Sequence, residues 1–383
     1  MPQDGILMQR ALLLAEGTAG LASPNPMVGC VIARGPQVLG EGAHVYDKID
    51  HAEIVALKQA AANGHDVLGA TAYVTLEPCS HQGRTGPCAD ALIKAGISRC
   101  VVATVDPNPA VRGRGLKKLR DAGIEVSVGL FQARARRLND AFAMSMTQRR
   151  PRVTLKAALS VDGHLAPSPS QRTGTQPFWL TGPESREEVQ QLRHRSDAIL
   201  TGIGTVLADD PLLTDRTGLP RRRPLMRVVL DTELRTPITA KLVQSAQQKR
   251  QEDLWIFCGT AVDAGRRAAL ERLGVKVTSV VGGGSVGLTE LLGHLHKAQI
   301  LSVLVEAGSA VNGAFLQSDL VDEVVLFYSE TELGEGAVSF AEGTSGPFVL
   351  EERLKNVRKV AFGADVCVSG LLHDPWPKGI DFS

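Results

Sequence analysis

Apolar side chains recur at helical spacing from Asp4 to Glu16, and Gly17 ends the run. Ser23-Pro24-Asn25-Pro26 then predicts a rigid turn into a strand, Val28 to Ala33, with a second strand, about Gln37 to Val45, paired to it. A helix is expected from Ala52 to Asn63, capped by Asp50 and stopped at Gly64. The pattern continues with a strand at Thr71–Leu76, a helix Ala89–Ala95 opened by Cys88, and a strand at Cys100–Val105. It closes with a helix at Gly113–Ala122 and a strand at Ile124–Val128. Phe131 to Arg150 is basic and Ala-rich, and reads as one last helix plus a short linker, its Arg run a solvated face.

Beyond Pro151 the alternation begins again. Strands are expected at Arg152–Leu159, Ala198–Gly202, Arg227–Asp231, Leu254–Cys258, Val275–Val281, Ser302–Glu306, Val321–Tyr328 and Val366–Leu372. Pro183 opens a helix to about Arg195, and helices fit Ala264–Leu273, Leu288–Lys297 and Ser309–Gln317. Ala166 to Gln176 reads as loop. Strands alternating with helices predict α/β sheets covered on both faces, with ligands at the strand ends. At 383 residues the chain suits two domains, divided as 1–148 and 149–383.

Composition narrows the function classes. The hydrophobic fraction of 43% and charged fraction of 22% describe a soluble globular protein. A net charge of +1, with aromatics at 4%, gives neither the basic groove nor the stacking platforms that nucleic acid requires. No apolar run approaches a membrane span, and the N-terminus carries no signal-peptide pattern. The six cysteines are too scattered for a disulfide framework, so the chain is expected reduced and cytoplasmic. The oligomeric state is not legible, and a homo-oligomer stays open.

Chemistry concentrates in His51-Ala52-Glu53, Pro78-Cys79 and Cys88. Imidazole and thiolate are preferred zinc ligands, and three of them leave one coordination position open. Glu53, two residues beyond the His, cannot share its helix face and is poorly placed as a fourth ligand. It is suited instead to moving protons beside the open position. Separately, each residue has a blander role: Asp50 and Glu53 stand in capping-box spacing, and the cysteines could be buried thiols. Together, in the order of the zinc-dependent base deaminases, they predict one zinc per chain.

The chain resembles the bifunctional deaminase/reductase family of riboflavin biosynthesis over nearly its whole length. The first half carries Pro24-Asn25-Pro26-Met27-Val28-Gly29, Gly42-Ala43-His44 and Thr75-Leu76-Glu77-Pro78-Cys79-Ser80-His81-Gln82-Gly83-Arg84-Thr85-Gly86-Pro87-Cys88. Asp106-Pro107-Asn108-Pro109 and Gly113-Arg114-Gly115 fit as well. The second half carries Leu155-Lys156 with Ser160-Val161-Asp162-Gly163, Trp179-Leu180-Thr181, Thr205-Val206-Leu207-Ala208-Asp209-Asp210-Pro211 and Val305-Glu306-Ala307-Gly308. The resemblance implies an N-terminal cytidine-deaminase-like αβα sandwich and a C-terminal dihydrofolate-reductase-like α/β domain. It implies hydrolytic deamination of a phosphorylated diaminopyrimidine, then NADPH-dependent reduction of its ribosyl chain to ribityl.

By that resemblance His51, Cys79 and Cys88 hold zinc, Glu53 shuttles protons, and Asn25 and His44 bind substrate. NADPH contacts fall on Leu159, Trp179, Thr205, Asp209, Thr232 and the run Gly308, Ser309, Ala310, Val311, Asn312, Gly313 and Ala314. Reductase substrate contacts fall on Lys156, Arg193, Leu213, Arg216 and Glu306, with Lys156 able to assist protonation. Family members usually carry Ser two residues before the Trp, where this chain has Pro177. Two glycine turns compete for the cofactor. Gly282-Gly283-Gly284-Ser285-Val286-Gly287 fits a dinucleotide fingerprint on paper but comes late in its domain. The Gly308 turn opens a helix directly after a strand, and is preferred. Arg193 and Arg216 suit a phosphate, with a surface salt bridge as the alternative for each. A nucleic-acid or free-nucleobase deaminase and a non-catalytic ligand-binding protein are the competing classes.

Overall fold

The computed structural model describes residues 2–82, 86–168, 178–249, 252–281 and 287–376. Pro177 and the glycine run 282–286 lie outside the described residues. The chain divides into two compact units: Met1–Arg149, joined by Pro220–Arg222 and the end of the chain from Pro375, and a second unit of Arg150–Leu219 with Arg223–Asp374.

The first unit runs α1 (Pro2–Glu16), β1 (Gly29–Arg34), β2 (Gln37–Ala43), α2 (Ala52–Ala62), β3 (Thr71–Val74), α3 (Cys88–Lys94), β4 (Arg99–Val102), α4 (Arg114–Asp121), β5 (Glu125–Val128), α5 (Gln132–Leu138) and α6 (Asp140–Gln148). Its sheet order is β2-β1-β3-β4-β5, with β3, β4 and β5 parallel and β1 antiparallel to both its neighbours. The strand period of two sorts side chains to opposite faces. Cys30 and Ile32 enter the core under α2, α3 and α4, while Val31 and Ala33 meet Leu7, Met8, Ala11 and Leu12 of α1. Truncating Leu12 to Ala would cost about 2–5 kcal/mol.

Small residues set the position of α2. Ala52, Ala56 and Ala60 form a buried stripe one turn apart; Ala56 and Ala60 meet Gly40 of β2, and Val55 and Ala56 meet Gly42. A Cβ on Gly40 would come within 2.3 Å of the Ala56 carbonyl oxygen. The helix is therefore pressed onto the sheet, and the residues at its start are fixed with it.

The basic stretch after Phe131 is not one helix. It breaks at Asn139, whose backbone leaves the helical region (φ −115°, ψ 17°), because its side chain is engaged elsewhere. Nor is its Arg run only solvated. Arg134 pairs with Glu16, and Arg136 lies over the Trp376 ring at 5.3 Å.

The second unit contains β6 (Arg152–Leu159), β7 (His164–Ala166), α7 (Pro183–Arg195), β8 (Ala198–Gly202), α8 (Ile203–Asp209), β9 (Met226–Leu230), α9 (Lys241–Lys249), β10 (Leu254–Cys258), α10 (Ala264–Arg272), β11 (Lys276–Ser279), α11 (Leu288–Lys297), β12 (Ser302–Val305), α12 (Ser309–Gln317), β13 (Glu323–Tyr328), β14 (Val338–Ser339), α13 (Pro347–Glu351), β15 (Lys355–Phe362) and β16 (Asp365–Leu371). Nine strands form one sheet in the order β11-β10-β9-β8-β12-β6-β13-β16-β15. From β11 to β13 they are parallel, and β16 and β15 close the edge antiparallel. The core has helices on both faces, α11 and α12 on one and α9 and α10 on the other.

The sequence pattern missed β7, α8, α9, β14, α13 and β15, and Ala166, expected to open a loop, ends β7. β15 is an exposed edge strand, so it lacks the buried alternation that marks a strand in sequence. Among the described residues no helix is long and apolar enough to cross a membrane.

Candidate functional site

In the first unit, β3 lies between β1 and β4, and the chain leaving it runs directly into Glu77-Pro78-Cys79. His51 is the last extended residue before α2 (φ −75°, ψ 162°), and Cys88 is the first residue of α3. These three places converge. His51 Nδ1 lies 3.5 Å from Cys79 Sγ and 3.3 Å from Cys88 Sγ, and the three donor atoms all fall within 4.8 Å of one another. A tetrahedral zinc with bonds of about 2.3 Å to sulfur and about 2.0 Å to nitrogen requires N···S spacings of about 3.5 Å. The donor set and its spacing fit zinc. The Cys88 backbone N–H also donates to Cys79 Sγ at 3.3 Å. Hydrogen bonds from the Cys88 thiol and from His51 hold Cys79 well below the ordinary thiol range.

Asp50 does not cap α2, contrary to the sequence pattern. His51 takes the N-cap position without a side-chain cap bond, and the Asp50 carboxylate pairs with Lys58 Nζ at 2.6 Å. The Asp50 carbonyl meanwhile lies 2.9 Å from His44 Nδ1. A carbonyl can only accept, so Nδ1 carries the proton and Nε2 accepts from Asn25 Nδ2 at 2.9 Å. The His44 ring stands edge-on to His51, centroids 5.3 Å apart. Asn25, His44 and the ligand His51 thus form one contiguous set. Glu53, in the first turn of α2, is 3% exposed. Burial, then the neighbouring Cys79 charge, pushes its pKa up to about 7.

In the second unit, Leu159, Thr205, Thr232 and Gly308 follow or end β6, β8, β9 and β12. These four strands are adjacent and parallel, in the order β9-β8-β12-β6, so the four residues share the carboxyl edge of the sheet. That edge is where open α/β sheets bind ligands. A Cβ on Gly308 would meet nothing nearer than Thr205 Oγ1 at 3.9 Å, and the backbone of Ser309, Ala310 and Val311 forms the first turn of α12 beside it. Asn312 and Gly313 turn inward: Asn312 Nδ2 donates to the Phe340 carbonyl, and a Cβ on Gly313 would strike the Glu342 carbonyl at 2.1 Å. Ala314 packs on the core. Leu159 is wholly buried, Asp209 lies exposed at the end of α8, and Trp179 is exposed beneath the Arg186 guanidinium at 5.2 Å.

Glu306, at the end of β12, is clamped by Arg193 (Nε–Oε1 2.7 Å, a second nitrogen to Oε2 3.0 Å), with Lys156 Nζ 3.6 Å from Oε2. Burial opposes the Glu306 charge, but Lys156 and Arg193 outweigh it and hold its pKa below the ordinary value. Burial lowers the pKa of Lys156. Arg193 also donates to the Thr214 carbonyl, so its fork is directed into the protein, not toward a phosphate. Arg216 is exposed, its backbone N–H tied to Gln190 of α7, and Leu213 is buried with a left-handed backbone (φ 53°). Thr214 and Arg216 are thus both held against α7.

Residues 1–104 match the family model described as the cytidine and deoxycytidylate deaminase zinc-binding region. Residues 151–368 match the RibD C-terminal domain. The riboflavin biosynthesis protein RibD of Aquifex aeolicus is 40% identical over 356 residues, covering 93% of this chain and 94% of its own. The chain belongs to the RibD family. RibD of Acinetobacter baumannii superposes with a TM-score of 0.80 at 37% identity, over 97% of this chain and 99% of that one. A diaminohydroxyphosphoribosylaminopyrimidine deaminase/5-amino-6-(5-phosphoribosylamino)uracil reductase from Thermotoga maritima does so at 0.79 and 32% identity, over 96% and 98%. Both halves of a RibD protein are therefore present, a zinc-binding deaminase region and a reductase domain, and the chain is a bifunctional deaminase/reductase of riboflavin biosynthesis.

Sequence reasoning missed Glu77 in this RibD chain. Its buried carboxylate accepts the backbone N–H groups of Asp106 (3.2 Å), Gly113 (2.9 Å), Gly115 (2.8 Å) and Leu116 (3.3 Å). It ties the start of α4 to the strand end that presents Cys79. The residue sits in plain view before Pro78-Cys79, yet nothing local shows that its partners lie some thirty residues on. Asp365 was missed as well: it accepts from the Gly182 N–H (2.7 Å) and Ser185 Oγ (2.5 Å), capping α7 from a distant strand.

Proposed function

We propose that the first unit deaminates 2,5-diamino-6-(5-phosphoribosylamino)pyrimidin-4-one at C2, using His51, Cys79 and Cys88 to hold zinc. Bound zinc acidifies water and so makes a nucleophile available at neutral pH. Glu53 takes the proton of the attacking water and delivers it to the departing amino nitrogen, so that oxygen replaces nitrogen at C2 and ammonia leaves. Asn25 and His44 orient the pyrimidine, with the His44 tautomer fixed by the Asp50 carbonyl. The observation that carries this reading is the convergence of three ligand atoms from three separate places in the chain, with the buried carboxylate of Glu53 two residues beyond the ligand His51.

The second unit reduces the ribosyl chain of 5-amino-6-(5-phosphoribosylamino)uracil to ribityl. NADPH, when bound, supplies the hydride that reaches the anomeric carbon. The backbone N–H groups of Ser309, Ala310 and Val311 at the start of α12, with Thr205 beside Gly308, would hold its phosphates. Leu159, Trp179, Asp209 and Thr232 complete that contact set. Lys156, buried against Glu306, delivers the proton needed by the ring oxygen, and Arg193 holds Glu306 in place. Leu213 and Arg216 lie on the substrate side. Six free thiols suit a reducing compartment, the cytoplasm, with small phosphorylated pyrimidines as the ligands in place of nucleic acid or membrane.

The test is incubation of zinc-replete protein with the diaminopyrimidine, with and without NADPH, followed by mass spectrometry. Deaminated product should form without NADPH, and ribityl product only with it. Return of unchanged substrate under both conditions would overturn the reading.

A further inference from the structure

We propose that Asn139, far from the zinc ligands in sequence and beyond the region matched by the deaminase family model, is a positioning residue for the deaminase substrate turn. It rests on the reading of Asn25 as a substrate contact.

The prolines of Pro24-Asn25-Pro26-Met27 stiffen the turn but do little to fasten it to the rest of the domain. Two of the four residues are prolines without an N–H, so few backbone donors remain to tie the turn down. Asn25 N–H reaches the Ala22 carbonyl at 3.0 Å, and the Val28 carbonyl accepts from His44 N–H at 2.9 Å. Between them, Met27 is gripped by a side chain. Asn139 Oδ1 accepts the Met27 N–H at 2.8 Å, and Asn139 Nδ2 donates to the Met27 carbonyl at 3.0 Å. The carboxamide imitates one rung of a sheet ladder across 112 positions of sequence.

Asn139 is 2% exposed and interrupts α5 and α6 to make this contact. Its carboxamide serves both the N–H and the carbonyl of Met27, and truncating it removes both bonds at once. From Met27 the consequence reaches Asn25 in two residues. Asn25 then meets His44, whose own ring is held by the Asp50 carbonyl. The zinc ligands are placed by β3, α2 and α3, none of which Asn139 touches among the described hydrogen bonds. The anchor therefore acts on substrate placement, leaving the metal as it is.

The experiment uses the full-length zinc protein. Asn139→Ala should raise KM for the diaminopyrimidine roughly tenfold, the loss of about one buried hydrogen-bonded contact, with kcat little changed and one zinc per chain retained. If Asn139 works through the turn, Asn25→Ala/Asn139→Ala should be no worse in KM than Asn25→Ala alone. A purely structural Asn139 would lower thermal stability and give additive effects. Unchanged KM in a folded variant, loss of zinc, or additivity in the double variant would each overturn the proposal. Should Asn139→Ala not fold, hydrogen exchange of the wild-type Met27 amide decides. Strong protection supports the anchor, and exchange at the rate of an open amide removes it. The two readings fail separately: a wild type that never deaminates overturns the function, and the Met27 exchange still judges the anchor.

Discussion

Glu53 and Cys88 show how residue type and position separate at this site. Glu53→Gln keeps the shape of a buried side chain but removes its base, so zinc should remain while ammonia release falls about a hundredfold or more. Cys88→Ala removes a donor atom, and elemental analysis should find the metal gone. Metal lost with Glu53→Gln would make Glu53 a ligand. Another residue-scale prediction concerns His373, which faces Asp322 and Asp319, with Arg150 paired to both oxygens of Asp322. The hydrogen bond to Asp322 raises the His373 pKa above its ordinary value. A raised histidine contributes stability below its unfolded pKa, and that contribution disappears as pH rises through the folded value. The melting temperature of wild type over His373→Asn should therefore be greater at mildly acid pH than at mildly alkaline pH. A gap independent of pH would contradict the assignment.

At the scale of elements, each site is a strand end joined to a helix start. Gly115 in the first turn of α4 packs so closely on the chain leaving β3 that a Cβ would lie 2.0 Å from the Pro78 carbonyl oxygen. Gly115→Ala must push that carbonyl, and Cys79 follows it. Chelator competition should show zinc affinity reduced by about 10–100-fold, the range for residues that orient metal ligands. An unchanged affinity would mean that the turn yields without moving the thiolate. The Gly308 start of α12 behaves oppositely, because the space above it is open to the crevice and not filled by protein. Gly308→Val should weaken NADPH binding at least about tenfold by fluorescence titration while leaving ammonia release intact. Binding lost on Gly284→Val instead would move the cofactor to the other glycine turn.

Over the whole molecule, the residues proposed for each chemistry belong to a single unit. Glu53→Gln protein should therefore reduce deaminated substrate at the wild-type rate, and Gly308→Val protein should release ammonia at the wild-type rate. Coupled losses in either variant would show that one unit contributes to the other's site. The paired Asp322, which accepts from Arg150 and from the Val153 N–H, fastens the first strand of the second unit where that unit begins.

What the chain determines by itself is local or chemical. Alternation placed β6, short continuous apolar runs placed β8 and β10, and Pro183 opened α7, each to the residue or nearly so. The zinc set was legible because His, Glu and Cys carry their chemistry with them wherever the chain puts them. The Arg193–Glu306–Lys156 cluster, the four N–H groups on Glu77, the distant cap at Asp365 and the grip of Asn139 on Met27 were decided only by tertiary structure. In each, a polar side chain meets a partner remote in sequence, and its pairing is set by which backbone groups the finished fold leaves buried. Burial makes an unpaired polar group costly, so the finished fold selects these partners. Hydrophobic periodicity carries no record of that choice.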